Sequence, residues 1–235
     1  MTPQSRPGYR HFHDDLAALT QQLLDMSEQA ESLVALAMEA LLSQDADKAD
    51  AVIEADEILD RVEVEAEERA IAMLALQQPM ARDLRFLVGA IKVSSDIERV
   101  GDHAVNIAQA TVRMAELRMP LMSLPALPDM ARRARTMLSN ALDAFIRGDG
   151  ALGRAVGKAD DEVDALHSEI YRTLSASMVR DSRLVPMALE LLIVSRNLER
   201  IADLATNIGE NAVYLAEGKQ IRHRYDETHD ATDQS

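Results

Sequence analysis

The side chains in this sequence best placed to do chemistry are carboxylates, and they come in repeated pairs. Glu98 and Asp102 are spaced i, i+4, and so are Glu199 and Asp203, Asp56 and Asp60, and Asp160 and Asp164. On a helix that spacing sets both carboxylates on one face. Carboxylates converging from neighbouring helices form a hard, oxygen-rich site for a divalent or trivalent cation, and His103 adds one imidazole beside Asp102. Without compensation such pairs are costly. Like charges at this spacing repel by roughly a few tenths of a kcal/mol, and a buried carboxylate loses several kcal/mol of hydration. A metal is one remedy. Arginine is the other: Arg99 and Arg200 recur beside the pairs, and Arg61 and Arg69 follow Asp60.

These residues must be held by helices. Apolar residues recur at three and four, as in Leu16, Leu19, Leu23, Met26, Ala30, Leu33 and Ala37, which is the period of an amphipathic helix and not of a strand. Gly and Pro are few, and the breakers divide the chain into six helices over about 11–43, 46–77, 81–117, 129–147, 151–179 and 185–217. In the third, the seam Leu84, Ile91, Glu98, Val105 advances in steps of seven, which places Glu98 in a register reserved for the core. Leu192 leads to Glu199 in the same way.

The chain repeats itself. VSSDIERVGDHAVNI (93–107) and VSRNLERIADLATNI (194–208) are identical at eight of fifteen positions, where chance gives roughly one. Asp56 and Asp60 align with Asp160 and Asp164. The fold expected is therefore all-α, two tandem three-helix bundles related by an internal repeat. The first repeat spans 11–118 and the second 122–218, joined through a proline-rich linker at 119–128, with a disordered tail at 219–235. Glu98 and Asp102 are expected to face Asp56 and Asp60 across the interface of the second and third helices, and Glu199 and Asp203 to face Asp160 and Asp164.

Composition removes several function classes. The 235 residues carry a formal net charge of -15, and a field of that sign repels nucleic-acid phosphates. With no Trp, three Phe and four Tyr, the chain offers few platforms for stacking bases. The absence of cysteine excludes disulfides, a thiol nucleophile and an iron–sulfur cluster. No apolar run is long enough to cross a bilayer and no secretory signal is visible, so a cytoplasmic location is expected. A ferritin-like di-iron oxidase needs Glu-x-x-His twice, and the sequence contains none. Neither a phosphate loop nor a nucleophile–base pair is present, so no catalytic residues are assigned and the chain is not expected to be an enzyme.

LALQQPMARDLRFLVGAIKVSSDIERVGDHAVNIA (74–108), NLERIADLATNIGENAVYLAEG (197–218) and FHDDLAALTQQLLDMSEQAESLVALAMEALLSQD (12–45) resemble the PhoU family of bacterial phosphate-signalling adaptors. The resemblance spans about residues 11–218. It implies a negative regulator of the phosphate-starvation response that also restrains high-affinity phosphate uptake. Such a protein bridges the ATPase subunit of a phosphate ABC transporter and a sensor histidine kinase. It reaches the membrane only through those partners, and many members are homodimers. In some members the E/DxxxD carboxylates bind multinuclear iron or zinc. Carried onto this chain, the ligands are Glu98, Asp102, Asp56, Asp60, Glu199, Asp203, Asp160 and Asp164, with His103 and Asp83 as further candidates. Leu204 and Leu184 stand where the first repeat has His103 and Asp83, so the first site is expected to be richer in ligands. The alternative function is a carboxylate-bridged metal store or metalloenzyme built on a helical bundle.

Overall fold

The structure is a computed structural model that describes residues 7–219, with side chains from residue 11 onward. The remainder of the tail, with His223 and His229, lies outside the described residues. Six α-helices follow one another: α1 (Pro7–Ser43), α2 (Ala46–Gln77), α3 (Ala81–Glu116), α4 (Ala126–Arg147), α5 (Gly150–Arg180) and α6 (Val185–Glu217), with one 3-10 turn at Ser182–Leu184. The helices begin and end within a few residues of the positions read from the sequence. The main difference is α4, which starts at Ala126 and so takes Pro128 into its first turn. Proline is tolerated there because the first N–H groups of a helix have no intrahelical acceptor.

Each half packs as a three-helix bundle, α1 with α2 and α3, and α4 with α5 and α6. The halves meet through α3 against α6 and α1 against α4, while among the described residues α2 and α5 touch only helices of their own half. The central pair runs antiparallel: Arg113, late in α3, grips both carboxylate oxygens of Glu190, early in α6, through three bonds of 2.9 to 3.0 Å. The core of α3 is Leu87, Ala90, Val93, Ile97, Val100, Ala104 and Ile107, all nearly inaccessible, and Leu191, Val194, Leu198, Ile201 and Ala205 do the same for α6. Apolar residues of the 119–128 segment, Met119, Leu121 and Met122, lie against that core.

The QQPMARDLRF run has a structural role. Gly148 and Gly218 end α4 and α6 in the left-handed region, at φ 65° and 69°. A Cβ on Gly148 would lie 2.9 Å from Arg82 Nη2, and one on Gly218 would lie 3.8 Å from Arg85 Nη1. The first turn of α3 thus brings two guanidinium groups to the carbonyl ends of two helices in the other half, where positive charge is favoured.

Helix α5 begins on a cap that can be tested. Asp149 accepts from the N–H groups of Ala151 and Leu152, both at 3.0 Å. Asp149→Ala is expected to lower stability by about 1 kcal/mol, seen as a fall of about 3 °C in Tm.

Candidate functional site: two carboxylate clusters flanking a central arginine pair

The paired carboxylates gather in two groups, one in each half; Asp164 is placed only beside Asp160, on its own helix. The first lies between α2 and α3. Asp56 is buried, 7% exposed, and burial with repulsion from Asp60 and Asp102 pushes its pKa to about 6. Glu98 is half-buried; burial first, then repulsion from Asp102, Asp60, Glu63 and Asp56, raises it to about 7. The second group lies between α5 and α6, where burial and the charges of Asp164, Asp203, Glu199 and Asp161 push Asp160 to about 7. The mutual influence of these groups places Glu98 and Asp102 opposite Asp56 and Asp60, and Glu199 and Asp203 opposite Asp160.

The core register read for Glu98 and Glu199 is corrected by the structure. Both glutamates are half-buried, Asp102 is exposed, and Leu84, at the head of the same seam, is 42% exposed. The seam runs along the rim of the α2–α3 groove, one step around the helix from the core stripe. The carboxylates are reached by solvent on one side and desolvated on the other.

Arginine compensates the two clusters differently. In the second half Arg200 bonds Asp203 at 2.8 Å and lies 3.7 Å from Glu199, and Arg196 bonds Glu199 at 3.1 Å. In the first half Arg99, the repeat partner of Arg200, turns instead to Asp96, at 3.8 Å. Two substitutions between the repeats account for this: Asp96 becomes Asn197, which removes the competing acceptor, and Ser95 becomes Arg196, which adds a cation. Among the described residues no salt bridge reaches Asp56, Asp60, Glu98 or Asp102, and Arg61 and Arg69 are exposed on α2.

The remaining candidates lie elsewhere. His103 turns towards α6, its Nδ1 2.9 Å from Asn197 Oδ1. Asp83 sits in the first turn of α3, about 22 Å along the axis from Glu98 at 1.5 Å per residue. His167 is occupied by Ser195 at 2.8 Å. Sequence reasoning missed two members of the first site. Glu63 stands three residues beyond Asp60 on the same face; the repeat hid it, because its counterpart is His167. Gly101 presses directly on Asp56, and a Cβ there would overlap Asp56 Oδ1. The second half has Ala202 at that position.

The donors suit a hard cation. Asp56 Oδ1, Asp160 Oδ1 and Glu199 Oε2 are buried without a hydrogen-bond partner, and a buried carboxylate oxygen without a donor is costly unless a proton or a metal satisfies it. Among the described residues no three of these groups close on one point as a finished metal shell. The clusters therefore offer carboxylate donors but not a preformed coordination geometry.

Comparison with known proteins decides what the scaffold is. The PhoU domain family model matches twice, over residues 23–111 and 127–212. The chain belongs to the PhoU family. It is 36% identical over 212 residues to the phosphate-specific transport system accessory protein PhoU homolog of Clostridium acetobutylicum, covering 89% of this chain and 96% of that one. The crystal structure of PhoU from Pseudomonas aeruginosa superposes with a TM-score of 0.84 at 32% identity, over 88% of this chain and 100% of that one. That of the phosphate transport system regulatory protein PhoU from Streptococcus pneumoniae gives 0.82 at 27%, over 89% and 98%. As a PhoU-family member, the chain is a regulatory accessory protein of phosphate transport and not an enzyme. The two family matches correspond to the two helical halves, and each carries one carboxylate cluster. Among the described residues no helix is long and apolar enough to cross a membrane.

Proposed function

We propose that this PhoU-family chain represses the phosphate-starvation response when phosphate is plentiful and restrains high-affinity uptake. It acts as a non-catalytic adaptor between the ATPase subunit of a phosphate ABC transporter and a sensor histidine kinase. The observation that carries this reading is the double family match spanning both halves. Two features support it. The net charge of -15 suits protein partners and disfavours DNA, so repression is indirect. Exposed apolar side chains on the two central helices, Leu84 and Val88 on α3 and Leu189 and Ile193 on α6, suit protein contacts. The protein works in the cytoplasm as a homodimer, reaches the membrane through its partners, and uses 11–118 and 122–218 as its two repeats.

In the same reading the clusters hold iron or zinc, with Asp56, Asp60, Glu98 and Asp102 as ligands in one half and Asp160, Asp164, Glu199 and Asp203 in the other. A bound cation supplies positive charge that neutralises the carboxylates and ties α2 to α3 and α5 to α6. The first site needs it more, because Arg196 and Arg200 already serve the second.

Deletion of the gene tests the regulatory role. Alkaline phosphatase activity in phosphate-rich medium is expected to rise to the starved level and to return to the repressed level on complementation. A deletion strain that stays repressed would refute the proposal.

A further inference from the structure

The two carboxylate clusters occupy equivalent places in the repeat, yet their surroundings differ. We propose that they load unequally. The first takes its cation directly, with Glu63 as a further ligand, whereas in the second Arg196 and Arg200 hold the carboxylates and must be displaced. The inference rests on the reading that the clusters hold metal, and adds to it the order of loading and the residues that set it.

The first difference is the cations already in place. Arg196 bonds Glu199 at 3.1 Å, and Arg200 bonds Asp203 at 2.8 Å and lies 3.7 Å from Glu199. Each bond occupies a carboxylate oxygen that a metal ion would use, and each guanidinium repels a metal ion brought beside it. In the first half Arg99 is turned to Asp96 instead. Among the described residues no salt bridge reaches Asp56, Asp60, Glu63, Glu98 or Asp102.

The second difference is the donor set. Glu63 stands three residues beyond Asp60 on α2, near enough to Glu98 for its charge to act there. The repeat puts His167 in that place, and its Nδ1 lies 2.8 Å from Ser195 Oγ. The second half therefore gains no carboxylate at this position. Gly101 adds to the contrast. It lets the Asp56 carboxylate lie against α3, where a Cβ would overlap Oδ1, and that oxygen is buried without a hydrogen-bond partner. Ala202 carries that Cβ in the second half, where Asp160 is only half-buried.

Displacing the arginines weakens the second site without closing it. Their side chains are 52% and 47% exposed, and ion pairs so exposed are individually weak. Arg200 also lines, with Arg99, a cavity of about 340 Å³ on the seam where α3 crosses α6, so it has room to turn away from Asp203.

The test is calorimetric titration of zinc chloride into the metal-free full chain near neutral pH, in buffer without phosphate or chelator. Glu98→Gln marks the heat of the first site, and Glu199→Gln that of the second, by what each removes. In wild type the first site is expected to fill first, with the second at least ~10-fold weaker. Arg200→Gln, alone and with Arg196→Gln, should tighten the second site, the double variant by about 10-fold, and leave the first unchanged. Glu63→Gln should weaken the first site about 10-fold and leave the second unchanged. Circular dichroism of the metal-free variants checks that they fold. Arg113→Ala, which removes a seam arginine committed to Glu190, should alter neither site. The proposal is overturned by two sites of equal affinity, by folded arginine variants whose second site stays as weak as in wild type, by equal tightening in Arg113→Ala, or by Glu63→Gln binding like wild type. Zinc heats that neither Glu98→Gln nor Glu199→Gln reduces would overturn the metal reading itself, and this inference with it.

Discussion

Gly153→Val is expected to destabilise the protein by about 3 kcal/mol or more, a fall of about 10 °C in Tm. A Cβ on Gly153 would lie 2.5 Å from the carbonyl oxygen of Gly209, and one on Gly209 would lie 2.8 Å from the carbonyl oxygen of Gly153. Here α5 and α6 touch backbone to backbone, so no side chain can move aside. The helices must separate, and the contacts of Val156 with Gly209 and of Ala212 and Val213 with Gly153 open with them. Glycine in a helix interior costs about 1 kcal/mol relative to alanine, a cost that close contact more than offsets. The repeat supplies the control. The first half carries Ala49 and Ala108 at the equivalent positions, both fully buried, so α2 and α3 cross there with room for a methyl group. Ala108→Gly should therefore cost only the helix-propensity term, about 1 kcal/mol. Melting of both variants checks the contrast. Equal losses would mean that the α5–α6 contact is not as close as described.

The triple variant Asp56→Asn, Glu98→Gln, Asp160→Asn is expected to be more stable than wild type in metal-free buffer near pH 8, and less stable than wild type once the cation is bound. Burial and mutual repulsion raise these three acids to about 6, 7 and 7, well above their values in an unfolded chain. A raised carboxyl pKa means that the folded state binds protons more tightly than the unfolded state, so ionisation costs stability as pH rises. The penalty is absent below about pH 4, where both states are protonated. It grows between about pH 4 and 7 and is complete above that window. Because solvent reaches Glu98 and Asp160, the gain for the three substitutions together is on the order of 2 kcal/mol at pH 8, fading to nothing near pH 4. Iron or zinc should reverse the order, since a cation that binds only the folded ionised sites stabilises wild type by mass action and leaves the variant unchanged. Melting across pH with and without chelator, with elemental analysis, reads both effects. A wild-type Tm indifferent to metal and chelator would remove the ligand assignment and leave the regulatory reading intact.

The helices, the duplication and the pairing of carboxylates were all legible in the sequence, because they depend on local rules. The three-and-four period sets each helix, prolines and polar turns end it within a few residues, and i, i+4 spacing puts Glu98 with Asp102 and Glu199 with Asp203 wherever the helix is placed. Even the facing of α2 and α3 followed from the repeat.

The tertiary structure alone decided how deep those groups lie and what each of them touches. A step of seven drifts by about 20° per turn pair on a straight helix, and an exposed leucine is ordinary on a protein surface. Leu84 and Ile91 therefore gave no secure bearing on the core, and Glu98 lies on the rim. The arginines make the same point. Arg99 and Arg200 occupy equivalent places, yet one turns to Asp96 and the other to Asp203. A guanidinium on a long flexible stem takes the nearest carboxylate, and the nearest carboxylate is set by single substitutions around it. The antiparallel crossing of α3 and α6 brings His103 to Asn197, 94 residues away, and places both arginines on one cavity. No spacing rule along the chain reaches that far, because the contact is fixed by how two bundles pack and not by the turn of either helix.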